Sequence, residues 1–271
     1  MRTEGENVFS NFVVLAFIMI FHVRFPFSHF IFPDYGSRSS QAAKRIDQAQ
    51  ARGLTHKEMN GEKAKEILGK VARNPLRYLI DLRALLKGCF YIAYFRIFNP
   101  RIRIRFPFFV YYKVNISGPG SVLLDANCSV HKNLFLGLSI VTLSPSAKVN
   151  IGKHCALGGL RIVCSDGVEI GERTMVGFSL VQDCLFSHTA KTKDRSDLSD
   201  ILKPELIKIG KNVWLGGRSC ILVGTVVGDD SVISIGSVSY KSKIQDYCLA
   251  CGNPIMRPSP ISQILSLRRT T

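Results

Sequence analysis

From Ile209 to Ile233, aliphatic residues recur every six positions without a gap: Ile209, Leu215, Ile221, Val227 and Ile233. The hexads they open read IGKNVW, LGGRSC, ILVGTV, VGDDSV and ISIGSV. Position one is always Ile, Leu or Val, position two is Gly in three of the five, and position five is Val, Ser or Thr. A six-residue unit supplies one short strand and one tight corner. The aliphatic first residue then points into a shared interior, and the small fifth residue fits where the corner crowds the wall. Glycine at position two is expected to supply the backbone angles of the bend. One such unit cannot bury its own apolar face, so units must stack. Three of them make a triangular coil of about 18 residues, which places Gly216, Ser234 and Gly252 one above another.

The pattern weakens upstream. Ile151, Leu157 and Val163 keep the period (IGKHCA, LGGLRI, VCSDGV), and Ile170 and Val176 resume it after a one-residue slip. Ile116 and Val122 begin a looser stretch. Longer alternating strands of a β-sandwich do not fit strict sixes. The expectation is an all-β solenoid, a parallel β-helix over 114–242, with a tail over 243–271 and an inserted loop at 182–206, where the period is lost.

Ahead of the repeat the periodicity turns helical. Residues 62–73 carry an Ile67-Leu68-Val71 stripe, and Asn74-Pro75 offers an N-cap followed by proline at the first helical position. A helix is predicted from Pro75 to about Lys87, with Leu76, Leu79, Ile80 and Leu86 on its apolar face. Residues 36–56 are polar and weakly periodic, so 36–113 reads as a linker followed by a basic, mainly helical region. Within residues 1–35, Val8–Val23 is strongly apolar over 16 residues, short of the roughly 20 that span a bilayer. It suits membrane contact or a buried hairpin equally, and an over-extended gene start is a third reading.

Charge narrows the partners. The formal net charge is +16, and from Arg83 to Lys113 seven basic residues occur with no acid, interleaved with ten aromatics. That mixture fits an anionic surface such as a membrane, or alternatively a cap over the first coil with solvated arginines. Neither zinc-finger spacing nor an aromatic RNP pattern is present, so nucleic acid is not expected as a partner. Eight cysteines are scattered and only Cys248 and Cys251 form a CxxC. No metal cluster is expected, and small thiols on an apolar inner wall fit a reducing, cytoplasmic compartment.

The stretch KIGKNVWLGGRSCILVG, followed by VVGDDSVISIGSVSYKSKIQDYCLACGNP, resembles the signatures of the hexapeptide-repeat acyltransferase superfamily. The basic helical lead-in is most like that of its bacterial surface-polysaccharide O-acetyltransferases. The resemblance covers about residues 114–257 and implies a left-handed β-helix. It also implies a homotrimer, with acetyl-CoA as co-substrate in a groove between neighbouring copies. A histidine on a loop that interrupts the coils would act as general base on an acceptor hydroxyl, here a sugar of a glycan or lipid-linked precursor. The setting would be cytoplasmic, at the inner face of the membrane. N-acetylation of an amino sugar or small amine, and a non-catalytic scaffold, are the competing readings.

The insertion carries His188, whose imidazole can take a hydroxyl proton near neutral pH. Asp183 is the nearest carboxylate to orient it. The polysaccharide-modifying members place their histidine four residues after an aspartate, often with a second acid between. In this chain Ser187 holds that place, His188 follows, and Leu185 stands where the second acid would be. Backbone amides near Gly216 and Gly217 are candidate donors to a tetrahedral intermediate. Gly216, Ser234 and Gly252 offer small side chains beside which a pantetheine arm could approach the backbone. Lys241, Lys243 and Arg257 are candidate partners for the CoA phosphates.

Overall fold

A computed structural model describes residues 75–133, 136–185 and 203–262. The 1–35 segment, the predicted 62–73 helix and His188 lie outside those residues. The chain divides into two compact units, Met1–Leu82 and Arg83–Thr271, and the fold described here is that of the second.

Arg83–Thr271 contains a left-handed parallel β-helix of three sheets, each receiving one strand per coil. The first sheet is built from β1 (Ile102–Ile104), β4 (Ser121–Leu124), β7 (Lys148–Ile151), β10 (Gly167–Ile170), β13 (Ile207–Ile209), β16 (Val226–Val227) and β19 (Lys243–Ile244). The second contains β2 (Phe108–Val110), β5 (Cys128–His131), β8 (Ala156–Gly158), β11 (Met175–Val176), β14 (Trp214–Leu215), β17 (Val232–Ile233) and β20 (Cys248–Ala250). The third contains β3 (Val114–Ser117), β6 (Leu138–Thr142), β9 (Leu160–Cys164), β12 (Ser179–Gln182), β15 (Cys220–Leu222) and β18 (Val238–Ser239). A last strand, β21 (Ser259–Pro260), lies antiparallel on β20.

The register stacks like residues. On the first sheet Leu124, Ile151, Ile170, Ile209, Val227 and Ile244 form one inward column. On the second, Val110, Val130, Leu157, Val176, Leu215, Ile233 and Ala250 form another. These side chains are buried and make one continuous core. On the third sheet the inward residue is Ile162, paired with Val181, whereas Val163 pairs with Gln182 and points outward. The hexad assigned to Val163 is therefore displaced by one, because the corner at Gly158 and Gly159 is a residue short.

The helix extends the predicted range in both directions. Strand β1 already pairs with β4, so the ladder begins at Ile102 rather than Val114, and β19 and β20 carry it past Ser242 to Ala250. Arg101–Tyr112 looked like lead-in because Arg103 and Arg105 alternate with Ile102 and Ile104, the outward and inward positions of one strand.

The hexad's glycines serve a different purpose from the one expected. Position four is the one in the left-handed region: Asn127, His154, Arg173, Asn212, Arg218, Asp230 and Tyr247 have φ between 54° and 62° or so, and Gly224 and Gly236 share it. Position two is glycine because coils touch there. A Cβ on Gly210 would lie 2.4 Å from Asp229 Oδ1 and 2.8 Å from its amide nitrogen, and one on Gly228 would lie 2.3 Å from Asp246 Oδ1. The aspartates are themselves rungs: Lys211 N–H donates to Asp229 Oδ1 at 2.7 Å, and Asp229 N–H donates to Asp246 Oδ1 at 2.8 Å. Gly210→Ala should therefore destabilise the fold by about 1–3 kcal/mol through overpacking. Gly217→Ala, where the added carbon meets nothing within 4 Å, should leave stability unchanged. Urea denaturation of both variants checks the contrast.

Apart from Val213, position five is buried and polar or soft. Cys128 donates to the Gly152 carbonyl at 3.2 Å, Cys155 to Gly171 at 3.2 Å, Thr174 to Gly210 at 3.1 Å and Ser231 to Gln245 at 2.9 Å. Each side chain reaches the position-two carbonyl of the next coil. Several cysteines thus stand where the late hexads use hydroxyls. The CxxC is split in direction: Cys248 is inside and Cys251 is exposed.

Among the described residues, one helix, α1 (Pro75–Phe98), precedes the ladder. It runs beyond Lys87 because the apolar residues continue: Tyr91 stacks on Phe95 at 6.1 Å, and Phe98 packs on Tyr94 at 5.0 Å. Asn99-Pro100 ends it, since proline disfavours helix in the residue before it. Phe95, Tyr91 and Ile92 pack against the β-helix core, and a Cβ on Gly88 would clash with the Phe108 carbonyl oxygen at 1.7 Å. From Arg83 onward, α1 therefore covers the first coil.

Candidate functional site

The insertion leaves the ladder after β12 and returns at β13, at the corner between the third and first sheets. Its base is closed: Glu205 N–H donates to the Asp183 carbonyl at 3.2 Å, and Gly224 N–H to the Glu205 carbonyl at 3.4 Å. His188 lies within the insertion, and Asp183 stands at its foot.

Asp183 has a different task from orienting a histidine. It is fully buried. Its Oδ1 accepts the Ser165 N–H at 2.7 Å, and its Oδ2 accepts those of Asp166 at 2.7 Å and Gly167 at 2.8 Å. Cys164 Sγ adds a fourth contact to Oδ2 at 3.3 Å. The corner at 165–167 turns three successive amides to one side, and a carboxylate on the next coil satisfies all of them. Both oxygens are committed to the backbone. The reading of Asp183 as partner of His188 is corrected accordingly: this carboxylate holds the corner from which the insertion springs.

The thiols beside it respond to that charge. Burial, followed by the Asp183 charge, pushes the Cys164 thiol far up, and the same causes push Cys184 up to about 11. At pH 8 a thiol of that kind is almost wholly protonated. Cys184 should resist alkylation in the folded protein while the exposed Cys89 and Cys251 react. Mass spectrometry after a brief iodoacetamide pulse reads this directly.

The predicted ligand residues fall into separate places. Gly216 and Ser234 stack at the corner between the second and third sheets, where Gly216 N–H donates to the Ile233 carbonyl at 2.8 Å. The Gly216 amide is thus used by the ladder and is unavailable as an oxyanion donor. Gly217, beside it, opens on empty space. Gly252 is not in this column. Ile233 pairs with Ala250, so Cys251 follows above Ser234, because the Ser239–Ile244 segment makes its coil one residue short. Lys241 is at the corner between the third and first sheets, its ammonium 2.7 Å from Glu205 Oε1. That engagement replaces the free cation expected for a phosphate. Lys243 projects from the first sheet, and Arg257 is exposed past the last coil.

Asp183 and Gly216 therefore stand at opposite ends of the third sheet's strands, since Leu180 pairs with Cys220 and Gln182 with Leu222. At about 3.3 Å per residue the width between them is on the order of 10 Å. One chain does not bring the foot of the insertion to the Gly216–Gly217 edge.

His131 is a described histidine that the sequence left without a partner. It stacks on Tyr111 at 4.6 Å, and its Nε2 lies 3.0 Å from Ser129 Oγ. Tyr111 and His131 follow Val110 and Val130, so the position that is Gly216 in a later coil is aromatic in these two. His154 is at a position-four corner with φ 61°, a surface place as expected. Among the described residues no group of three or more His, Cys, Asp or Glu could hold a metal ion.

Comparison with known proteins meets this geometry at the late coils. Residues 206–238 match the family model described as the hexapeptide repeat of succinyl-transferase. These residues carry the hexapeptide repeat that the model describes. The chain is 48% identical over 48 residues to a Staphylococcus aureus (strain MRSA252) protein named "Putative acetyltransferase SAR2635". The matched stretch is 18% of this chain and 24% of that relative, so the chain spans about a quarter of its length. A homologue from strain COL matches to the same extent. Among solved structures, a variant of AntD, an N-acyltransferase from Bacillus cereus in complex with dTDP and coenzyme A, aligns at 16% identity and TM-score 0.46, covering 62% of this chain and 89% of that one. The polySia-specific acetyltransferase NeuO aligns at 23% identity and TM-score 0.40, covering 59% and 70%.

Proposed function

We propose that this protein is an acyl-CoA-dependent acyltransferase that O-acetylates a sugar hydroxyl of a surface polysaccharide or its precursor, with acetyl-CoA as donor. The observation that carries the reading is the match of residues 206–238 to the succinyl-transferase hexapeptide repeat. It falls on the coils that present Gly217 and Ser234 at an accessible corner. Two relatives matched over 48 residues carry the name "Putative acetyltransferase".

His188 is the proposed general base, carried on an insertion whose base is pinned at Asp183 and Glu205. It would take the acceptor hydroxyl proton as that oxygen attacks the thioester carbonyl, and the CoA thiolate would leave. Gly217, Ser234, Gly252, Lys243 and Arg257 remain the proposed contacts for CoA.

A homotrimer suits the distribution of these groups, because a neighbouring copy can supply what one chain does not gather. The second sheet presents an outward column of Phe109, Ser129, Ala156, Met175, Trp214, Val232 and Leu249. The first sheet's outward column is mixed: Arg103, Leu123, Asn150, Glu169, Lys208, Val226 and Lys243. A largely apolar flat side favours packing against another copy more than a mixed, partly charged one does.

The test is thiol release from acetyl-CoA by purified protein across a panel of glycans, amino sugars and small amines. Release that depends on a hydroxyl acceptor supports the reading. Release with amines alone replaces it with N-acetylation. Absence of both release and acetyl-CoA binding favours a scaffold.

A further inference from the structure

α1 is apolar on two sides. One side carries Ala84, Leu85, Gly88 and Phe95, all buried, with Tyr91 and Ile92 packed on the β-helix core. The opposite side carries Leu86, Phe90, Tyr94 and Ile97, at the i, i+4, i+8 and i+11 spacing of a single helical stripe. These residues are 62%, 66%, 45% and 72% exposed, and Phe98 at the end of the helix is 72% exposed. A surface helix ordinarily shows water a polar face. A contiguous ring-bearing stripe on an ordered helix marks a contact surface.

The charges around it select the occupant. Arg83 is one turn before Leu86 and Lys87, and Lys87 is one turn before Phe90, so both cations lie along the stripe. Arg103 follows on the adjoining strand, and no acid occurs between Arg83 and Lys113. A second copy of this same surface would bring like charges together as the apolar groups met. An anionic lipid surface satisfies both features: rings enter the headgroup region while cations meet phosphates. We propose that the outward stripe of α1, with Arg83 and Lys87, is a docking surface for an anionic phospholipid membrane. Because the other face of α1 is fixed on the first coil, docking would orient the β-helix relative to the bilayer. Among the described residues no helix is long and apolar enough to cross a membrane, so the contact is one of a helix lying at the interface. The proposal is independent of the acyl-transfer reading, since it concerns binding alone.

The experiment is co-sedimentation of the full chain with vesicles of phosphatidylcholine alone or mixed with phosphatidylglycerol, at low and high salt. The expected result is binding to the mixed vesicles that salt weakens. The triple variant Leu86→Gln/Phe90→Gln/Ile97→Gln should lower the partition coefficient by about tenfold or more. Arg83→Gln and Lys87→Gln should each lower it about fivefold. All these side chains point away from the core, so thermal unfolding should stay at the parental temperature. Failure of the parent to bind mixed vesicles would overturn the proposal, as would binding that neither set of changes reduces. Loss of self-association in the triple variant, with lipid binding intact, would reassign the stripe to a contact between copies.

Discussion

Asp183→Asn is expected to lower the stability of the β-helix by about 3 kcal/mol, because an amide cannot accept all the donors now aimed at the carboxylate. Three backbone N–H groups converge on its two oxygens within 2.8 Å, in a fully buried setting. In the variant one of those positions becomes an NH₂ group facing an N–H, so at least one buried donor loses its acceptor and the others lose charge assistance. For a body of this size that corresponds to a fall of roughly 6–12 °C in the unfolding midpoint. Differential scanning calorimetry reads it. The same variant separates two roles. A corner-holding carboxylate costs stability, whereas a partner of His188 would cost turnover at unchanged stability. An unaltered midpoint with turnover depressed would restore Asp183 to the catalytic assignment.

The second large effect concerns His188→Ala. Removal of a general base costs about 100-fold or more in rate, and acceptor-dependent thiol release should fall by that much. The unfolding midpoint should not move, since His188 falls in the stretch of sequence where the hexad period is lost. The pairing of the two variants is informative: one moves stability and the other moves rate. If turnover survives His188→Ala, the imidazole is not the base. Attention would then pass to His131, already held between Tyr111 and Ser129.

The columns of the core were legible because each hexad repeats the same instruction at position one, and pairing merely stacks them. Position five was legible as small, though not as the donor that links one coil to the next. Position two was misread. Its glycines looked like bends, yet the bends fall at Asn212, Arg218 and Asp230, and glycine is needed where Asp229 and Asp246 lean across. That cause is 18 residues away or so in the chain, so no local pattern announces it. Asp183 is similar: the amides it satisfies belong to the previous coil, and a sequence does not show which amides lack an acceptor. The column through Gly252 failed on a single omitted residue near Lys241, because a solenoid transmits every slip to all later positions. The longer reach of α1 was hidden by apolar residues on both of its sides, which blur the helical stripe that sequence reading depends on.

The hydrogen bond from Glu205 N–H to the Asp183 carbonyl makes the insertion a graft. Both stumps are held by the ladder, so whatever is spliced between them starts and finishes at one spot. Doubling the length of such a segment costs only about 0.6 kcal/mol of closure entropy. The solenoid can therefore host segments of different length and sequence there while its own register stays fixed, so the inserted sequence can diversify without renegotiating the fold.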